Sequence, residues 1–180
     1  MPHTSLFLLL LFLVFCTMIF LYDYLFRRVP NIFLLIAIAL QLGSFMLLSK
    51  GLNDVSWLSA LSGLTIGFVF FLPLYALRAM AAGDVKFFAV LGFLLGPAAL
   101  LPVFIIASLI AAVHAVVIYA SRLGIAPGLQ LVALRIARRS WYQWMLEKRG
   151  NRVGIPYAAY MAVAGAWIGT HGARIVPGFI

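Results

Sequence analysis

Asp23 and Asp84 are the residues whose type and setting point to chemistry. Asp23 lies in Tyr22-Asp23-Tyr24-Leu25-Phe26-Arg27-Arg28-Val29-Pro30-Asn31, and Asp84 lies in Ala82-Gly83-Asp84-Val85-Lys86. The chain of 180 residues has only four acidic ones, and these two sit at the ends of long apolar runs. A carboxylate at the edge of a bilayer is costly to keep, so it marks a functional site by default. Paired carboxylates can hydrolyse a peptide bond without a metal. One, ionised, takes a proton from water; the other, protonated, hydrogen-bonds the scissile carbonyl and then feeds the leaving amine. Two carboxylates in one site cannot both ionise freely, so their titration belongs to the pair. Asp84 opens an apolar helix, where negative charge is favoured, and Asp23 closes one, where it is disfavoured. The expected roles are therefore Asp84 as ionised base and Asp23 as protonated acid, with Arg27 opposing this if the first helix continues.

The elements that must position these residues are membrane helices. The chain is 66% hydrophobic and 9% charged, against about 25% charged in a typical soluble domain, and its mean hydropathy is +1.13. Such a composition excludes a water-soluble fold. The apolar runs are continuous rather than alternating, so the expected fold class is all-α and polytopic, not a β-barrel. Six runs approach the length of about 20 residues that a bilayer requires: about Ser5–Tyr22, Ile32–Leu48, Val55–Leu77, Val85–Leu95, Ala98–Tyr119 and Ile155–Thr170. The fourth is short and is broken off by Gly96-Pro97. Met1 to Ser5 carry no Lys or Arg and no small-x-small site follows, so the first run reads as a retained span rather than a signal peptide. Cys16, the single cysteine, lies in that run and reads as a packed small hydrophobe.

The formal net charge of +9 belongs to the flanks of the spans rather than to nucleic-acid binding. Arg27 and Arg28 follow the first run, Arg78 and Lys86 flank the gap after the third, and a cluster from Arg122 to Arg152 follows the fifth; Lys50 and Arg174 stand alone on the opposite side. This asymmetry places both termini outside and both aspartates on the cytosolic side. Residues about 129–149 read as an amphipathic helix on the inner leaflet, preceded by a turn at Gly124, Pro127 and Gly128. Ser59, Gly63 and Gly67, then Gly92 with Gly96 and Gly165 with Gly169, have small-xxx-small spacing and predict close helix packing within the chain. Residues 1–180 read as a single membrane domain.

The other polar residues read as structural. Asp54, in Asn53-Asp54-Val55-Ser56-Trp57, is expected to cap a helix, and Glu147 to face solvent. His3, His114 and His171 lack ligand spacing, so neither a metal nor a cofactor is expected. No Gly-x-Ser-x-Gly or His-Glu-x-x-His occurs.

Three blocks resemble a known family. Asp23 followed by Arg28-Val29-Pro30-Asn31, the stretch Ala81-Ala82-Gly83-Asp84-Val85-Lys86, and Arg152-Val153-Gly154-Ile155-Pro156-Tyr157-Ala158 are similar in type and order to the blocks of the type IV prepilin peptidases. The resemblance implies a membrane aspartic endopeptidase of the bacterial inner membrane that cuts short basic leaders from prepilins on the cytosolic face. It implies Asp23 and Asp84 as the catalytic pair, with Arg28, Pro30, Asn31, Gly83, Lys86, Pro156 and Tyr157 shaping the motifs or positioning substrate. It implies a prepilin and membrane lipids as partners. Ala81 stands where the family usually has Gly. Larger relatives carry paired Cys-x-x-Cys motifs and an N-methyltransferase activity. This chain has no such motif, so it resembles the short, peptidase-only branch of tight-adherence pili. Lys86 is expected to pair with an acidic substrate residue just after the cut. The rival readings are a small proton- or cation-coupled transporter and an inactive pilus-assembly scaffold.

Overall fold

The computed structural model describes residues 2–123, 128, 131, 134–135, 137–150 and 154–175. The α-helices delimited among them are α1 Pro2–Phe26, α2 Asn31–Leu48, α3 Trp57–Ala76, α4 Ala82–Leu95, α5 Leu100–Arg122, α6 Ser140–Arg149 and α7 Tyr157–Ile175. A 3₁₀ turn at Pro97–Ala99 leads into α5. No strand occurs among the described residues, as an all-α chain requires. Four stretches are long and apolar enough to cross a membrane: Leu6–Phe26, Asn31–Leu48, Trp57–Ala76 and Pro97–Ser121.

The helix ends follow from local chemistry. The α1 helix continues beyond the expected Tyr22 and includes Asp23. It stops where Arg27 turns left-handed, at φ 54°, with the Arg27 N–H donating to the Asp23 carbonyl at 2.9 Å. Pro30, at φ −68° and ψ 128°, then sets the entry to α2. The α3 helix ends in a Schellman turn with Arg78 at φ 58°; the Ala79 N–H reaches the Leu74 carbonyl and the Arg78 N–H the Tyr75 carbonyl, both at 2.9 Å. The expected Asp54 cap is not formed. Ser56 sits directly before Trp57 with the extended backbone a cap needs, and its Oγ accepts from the Ser59 N–H at 3.3 Å. Asp54 instead pairs with Lys50 at 3.5 Å.

Two helices form the interior. Nearly every residue of α4 from Val85 to Leu95 is buried, and most of α7 from Ala158 to Ile168 is buried as well. α1 and α5 pack on α7, while α2 and α3 pack on α4. With 14 residues, α4 is about 21 Å long, short of the ~30 Å hydrocarbon core. Its last carbonyls end inside the protein and would be unpaired there. Gln41 Nε2 donates to the Phe93 carbonyl at 3.0 Å and Asn53 Nδ2 to the Leu94 carbonyl at 3.1 Å. Gln41 Oε1 also accepts from the Leu52 N–H at 2.9 Å. The α2–α3 connection thus folds inward over the end of α4, with Leu52 and Val55 buried.

The small-residue stripes pack within the chain, as expected. Gly63 of α3 lies against the backbone of Gly92 in α4, so near that a methyl group on either would overlap the other's carbonyl oxygen. Gly67 meets Phe88 and Ala89, Gly165 meets Leu91, and Gly169 meets Phe12. The expected amphipathic segment is described only in part. Its residues 129–130, 132–133 and 136, and Gly124 and Pro127 before it, lie outside the described residues. The α6 portion docks on the end of α1, where the Trp144 ring meets Phe26 edge-on at 6.2 Å and Met145 is buried.

This packing predicts opposite outcomes for one substitution at two helical glycines. Gly92→Ala forces the α3 and α4 backbones apart and is expected to cost about 1–3 kcal/mol or more, as overpacking does. Gly43→Ala, where nothing lies within 4 Å of the added methyl, is expected to be neutral or stabilising by up to about 1 kcal/mol. Thermal unfolding of the two variants in detergent micelles tests this.

Candidate active site

Three helix ends meet at one end of the bundle. The last turn of α1 carries Asp23, the first turn of α4 carries Asp84, and the first turn of α7 faces them both. The chain after Pro156 begins α7 with backbone N–H groups that have no carbonyl one turn back. The Ala159 N–H donates to Asp23 Oδ2 at 3.0 Å, and Ala158 offers its N–H to the Asp84 carboxylate. Consecutive donors of one helix turn therefore hold both side chains. Asp84 also receives the N–H of Ala81, three residues back, which is the reciprocal half of a capping box at the start of α4.

Both carboxylates line one cavity of about 860 Å³, together with Arg27, Arg28, Arg78, Gly83 and Tyr157. Asp23 is 5% exposed. Burial, first, and the adjacent Asp23 carboxylate, second, push Asp84 up to about 7. A carboxyl raised in this way can hold a proton near neutral pH. On the other side of Asp23, the Arg149 guanidinium of α6 lies within electrostatic reach. These surroundings oppose the ionised Asp84 expected from helix ends alone. The helix dipole at α4 is outweighed by desolvation and by the second carboxylate, neither of which can be seen in the local sequence.

The remaining motif residues fall into place around the pair. A methyl on Gly83 would lie 3.3 Å from Val29 Cβ, so its absence lets the Arg28-Val29-Pro30 strip press against the first turn of α4. Asn31, first residue of α2, accepts from Lys86 Nζ at 3.4 Å, which ties the first two blocks together. Lys86 is exposed and is not among the residues lining the cavity. Pro156 is buried immediately before α7. Tyr157 lies in the cavity wall with its hydroxyl 2.9 Å from Ser108 Oγ. Ala81 has φ −77° and ψ 147°, an extended conformation open to any residue, so its methyl imposes no backbone strain. Arg152 and Val153 of the third block lie outside the described residues.

Residues 10–116 match the Type IV leader peptidase family. The chain belongs to this family. Comparison with curated proteins and with solved structures returns no match. The matched stretch of the leader peptidase holds both aspartates and the first two blocks, whereas the Pro156 block and α7 lie beyond it. The leader peptidase is thus a membrane-helix protein whose two distinctive acidic blocks converge on one cavity.

Sequence reasoning missed several parts of this site. The donors of Ala158 and Ala159 are backbone groups of apolar residues, signalled only by Pro156 before a helix. Arg27 and Arg78 were counted as topology charges, yet both line the cavity. His114, read as isolated, has its Nδ1 2.6 Å from the Tyr160 hydroxyl.

The raised Asp84 carries a stability consequence. The folded state holds its proton from pH 3.8, the ordinary value, up to about 7, where the unfolded chain has lost it. Folding stability therefore falls as pH rises through that window. Asp84→Asn removes the effect. The variant is expected to be more thermostable than wild type at pH 8, with the gap closing as pH is lowered towards 4. Melting midpoints across pH check this, and a gap independent of pH would refute it.

Proposed function

We propose that this family member is an aspartic endopeptidase that cuts the leader from prepilins, with Asp23 and Asp84 as its catalytic pair. One observation carries the reading: two carboxylates from distant positions line one cavity, each on a backbone N–H of the same helix turn. In the resting enzyme Asp84 holds the proton and Asp23 is the base. Asp23 takes a proton from the attacking water while Asp84 passes its proton to the carbonyl oxygen; as the resulting gem-diol collapses, Asp84 takes that proton back and Asp23 gives the water's proton to the leaving amine. Fixed donors from α7 keep both groups oriented as charge moves between them.

The charge asymmetry of the loops supports a cytosolic site in a bacterial inner membrane, with both termini outside. In that arrangement α4 and α7 are the fourth and sixth crossings, shielded from lipid by their neighbours, and the segment ending in α6 lies along the inner leaflet. The chain is read as one peptidase domain of the tight-adherence branch, without methyl transfer. The substrate is a prepilin whose apolar helix lies in the membrane and whose cleavage point meets the cavity at the interface.

Co-expression with a prepilin tests the reading. Asp23→Asn and Asp84→Asn are each expected to reduce processing by at least about a hundredfold, the scale of a lost general acid or base. Wild-type processing is expected to fall as pH rises through about 7, because the pair then loses the proton that Asp84 must donate. If either variant processes the prepilin as fast as wild type, the assignment of the pair is wrong.

A further inference from the structure

Two of the four residues in the first turn of α7 hold the carboxylates, and the other two hold α5. Ala158 and Ala159 give their backbone N–H groups to Asp84 and Asp23. Tyr157 and Tyr160, three apart and so on one face of the helix, send their hydroxyls to α5. The Tyr157 hydroxyl lies 2.9 Å from Ser108 Oγ, and the Tyr160 hydroxyl lies 2.6 Å from His114 Nδ1. Between Leu100 and Ile118 every side chain of α5 is apolar except those of Ser108 and His114. A polar group inside a run that crosses a bilayer is costly without a partner, and both groups find theirs in this one turn.

The turn needs such ties. Ala158, Ala159 and Ala162 are buried, and side chains this small let helices approach closely but give little to stop one helix turning or sliding on another. Hydrogen bonds are directional and weaken steeply off line, so two of them on one face of α7 set its rotation and depth. The same directionality makes the bonds from Ala158 and Ala159 to the acids sensitive to any movement of the turn. A reacting constellation has to be held within about 0.5 Å of its working geometry. Ala111, three residues from both Ser108 and His114, lines the cavity that holds the two aspartates. α5 therefore borders the site as well as packing on α7.

Resting on the peptidase reading above, we propose that Ser108 and His114 are positioning residues of the proposed catalytic pair: by fixing Tyr157 and Tyr160 they hold the α7 donors, and through them Asp84 and Asp23, in working register. The His114–Tyr160 bond isolates this role. Tyr160 is 5% exposed and is not among the residues lining the cavity, whereas Tyr157 is one of them. An effect of His114 or Tyr160 on the reaction is therefore transmitted by the turn rather than by contact with substrate.

The test uses the full chain in detergent micelles with a processed prepilin. His114→Phe and Tyr160→Phe each remove one partner and keep a ring in its place. Each is expected to lower kcat about tenfold, within the range that small misplacements cost, with KM changed less than about twofold. The double variant is expected to be no slower than the slower single one, as for one shared interaction. His114→Gln, which restores an atom able to bond the Tyr160 hydroxyl, is expected to recover most of the loss. Amide hydrogen exchange needs no substrate: in Tyr160→Phe the start of α7 is expected to exchange about tenfold faster than in wild type, with the rest of α7 unchanged. A wild-type kcat in both single variants, a loss carried by KM, or a double variant slowed by the product of the two losses overturns the positioning role. Unchanged exchange at the start of α7 overturns it as well, and so does faster exchange along the whole helix, because Tyr160 then supports the fold rather than the turn. A wild-type chain that processes no prepilin overturns the peptidase reading instead, and the exchange result still decides whether α5 fixes the turn.

Discussion

The first turn of α7 is the constraint on which the site depends. A helix that starts in a protein interior leaves backbone N–H groups with no partner in the chain before it, and those of Ala158 and Ala159 are turned on Asp84 and Asp23. Each side of this contact needs the other. Without the carboxylates the helix start would bury unpaired donors; without the donors two acids would be buried together with little to hold them. α1, α4 and α7 are therefore locked at one point. Pro156 has no N–H of its own to satisfy and leads directly into that turn.

For the contact to form, α4 must reach the site at the right depth although the helix itself is shorter than the bilayer core. Its length is accommodated at the far end, where Gln41 and Asn53 satisfy the carbonyls of Phe93 and Leu94. Its lateral position is set by glycine, since Gly63 and Gly92 let the α3 and α4 backbones touch. Near the site, Gly83 against Val29 and Lys86 on Asn31 fix the first two sequence blocks to each other. Most residues of the motifs are thus read as geometry around the pair rather than as reacting groups.

Much of this was legible in the chain and some was not, for definite reasons. Helix positions were legible because most apolar runs are long and bounded by Pro, Gly or charge, and α2 and α3 fall within two residues of the expected limits. The end of α1 was misjudged because Asp23 was taken as the close of the run, whereas the left-handed turn waits for Arg27. The Asp54 cap was misjudged because Ser56 stands nearer the helix start. The raised proton affinity of Asp84 was not legible because helix ends are local and visible, while desolvation and a second carboxylate are not.

The sequence by itself determined that the chain is helical and membrane-bound, that Asp23 and Asp84 are its exceptional residues, and that their neighbouring blocks mark a leader peptidase. These conclusions rest on composition, run length and short-range motifs, which need no knowledge of what packs on what. Only the tertiary structure decided that the two acids share a cavity, that backbone donors of α7 hold them, that burial and a second carboxylate raise the proton affinity of Asp84, and that Arg27 and Arg78 line the same cavity. Each of these depends on groups far apart in the chain, and burial and charge act through space rather than along the backbone.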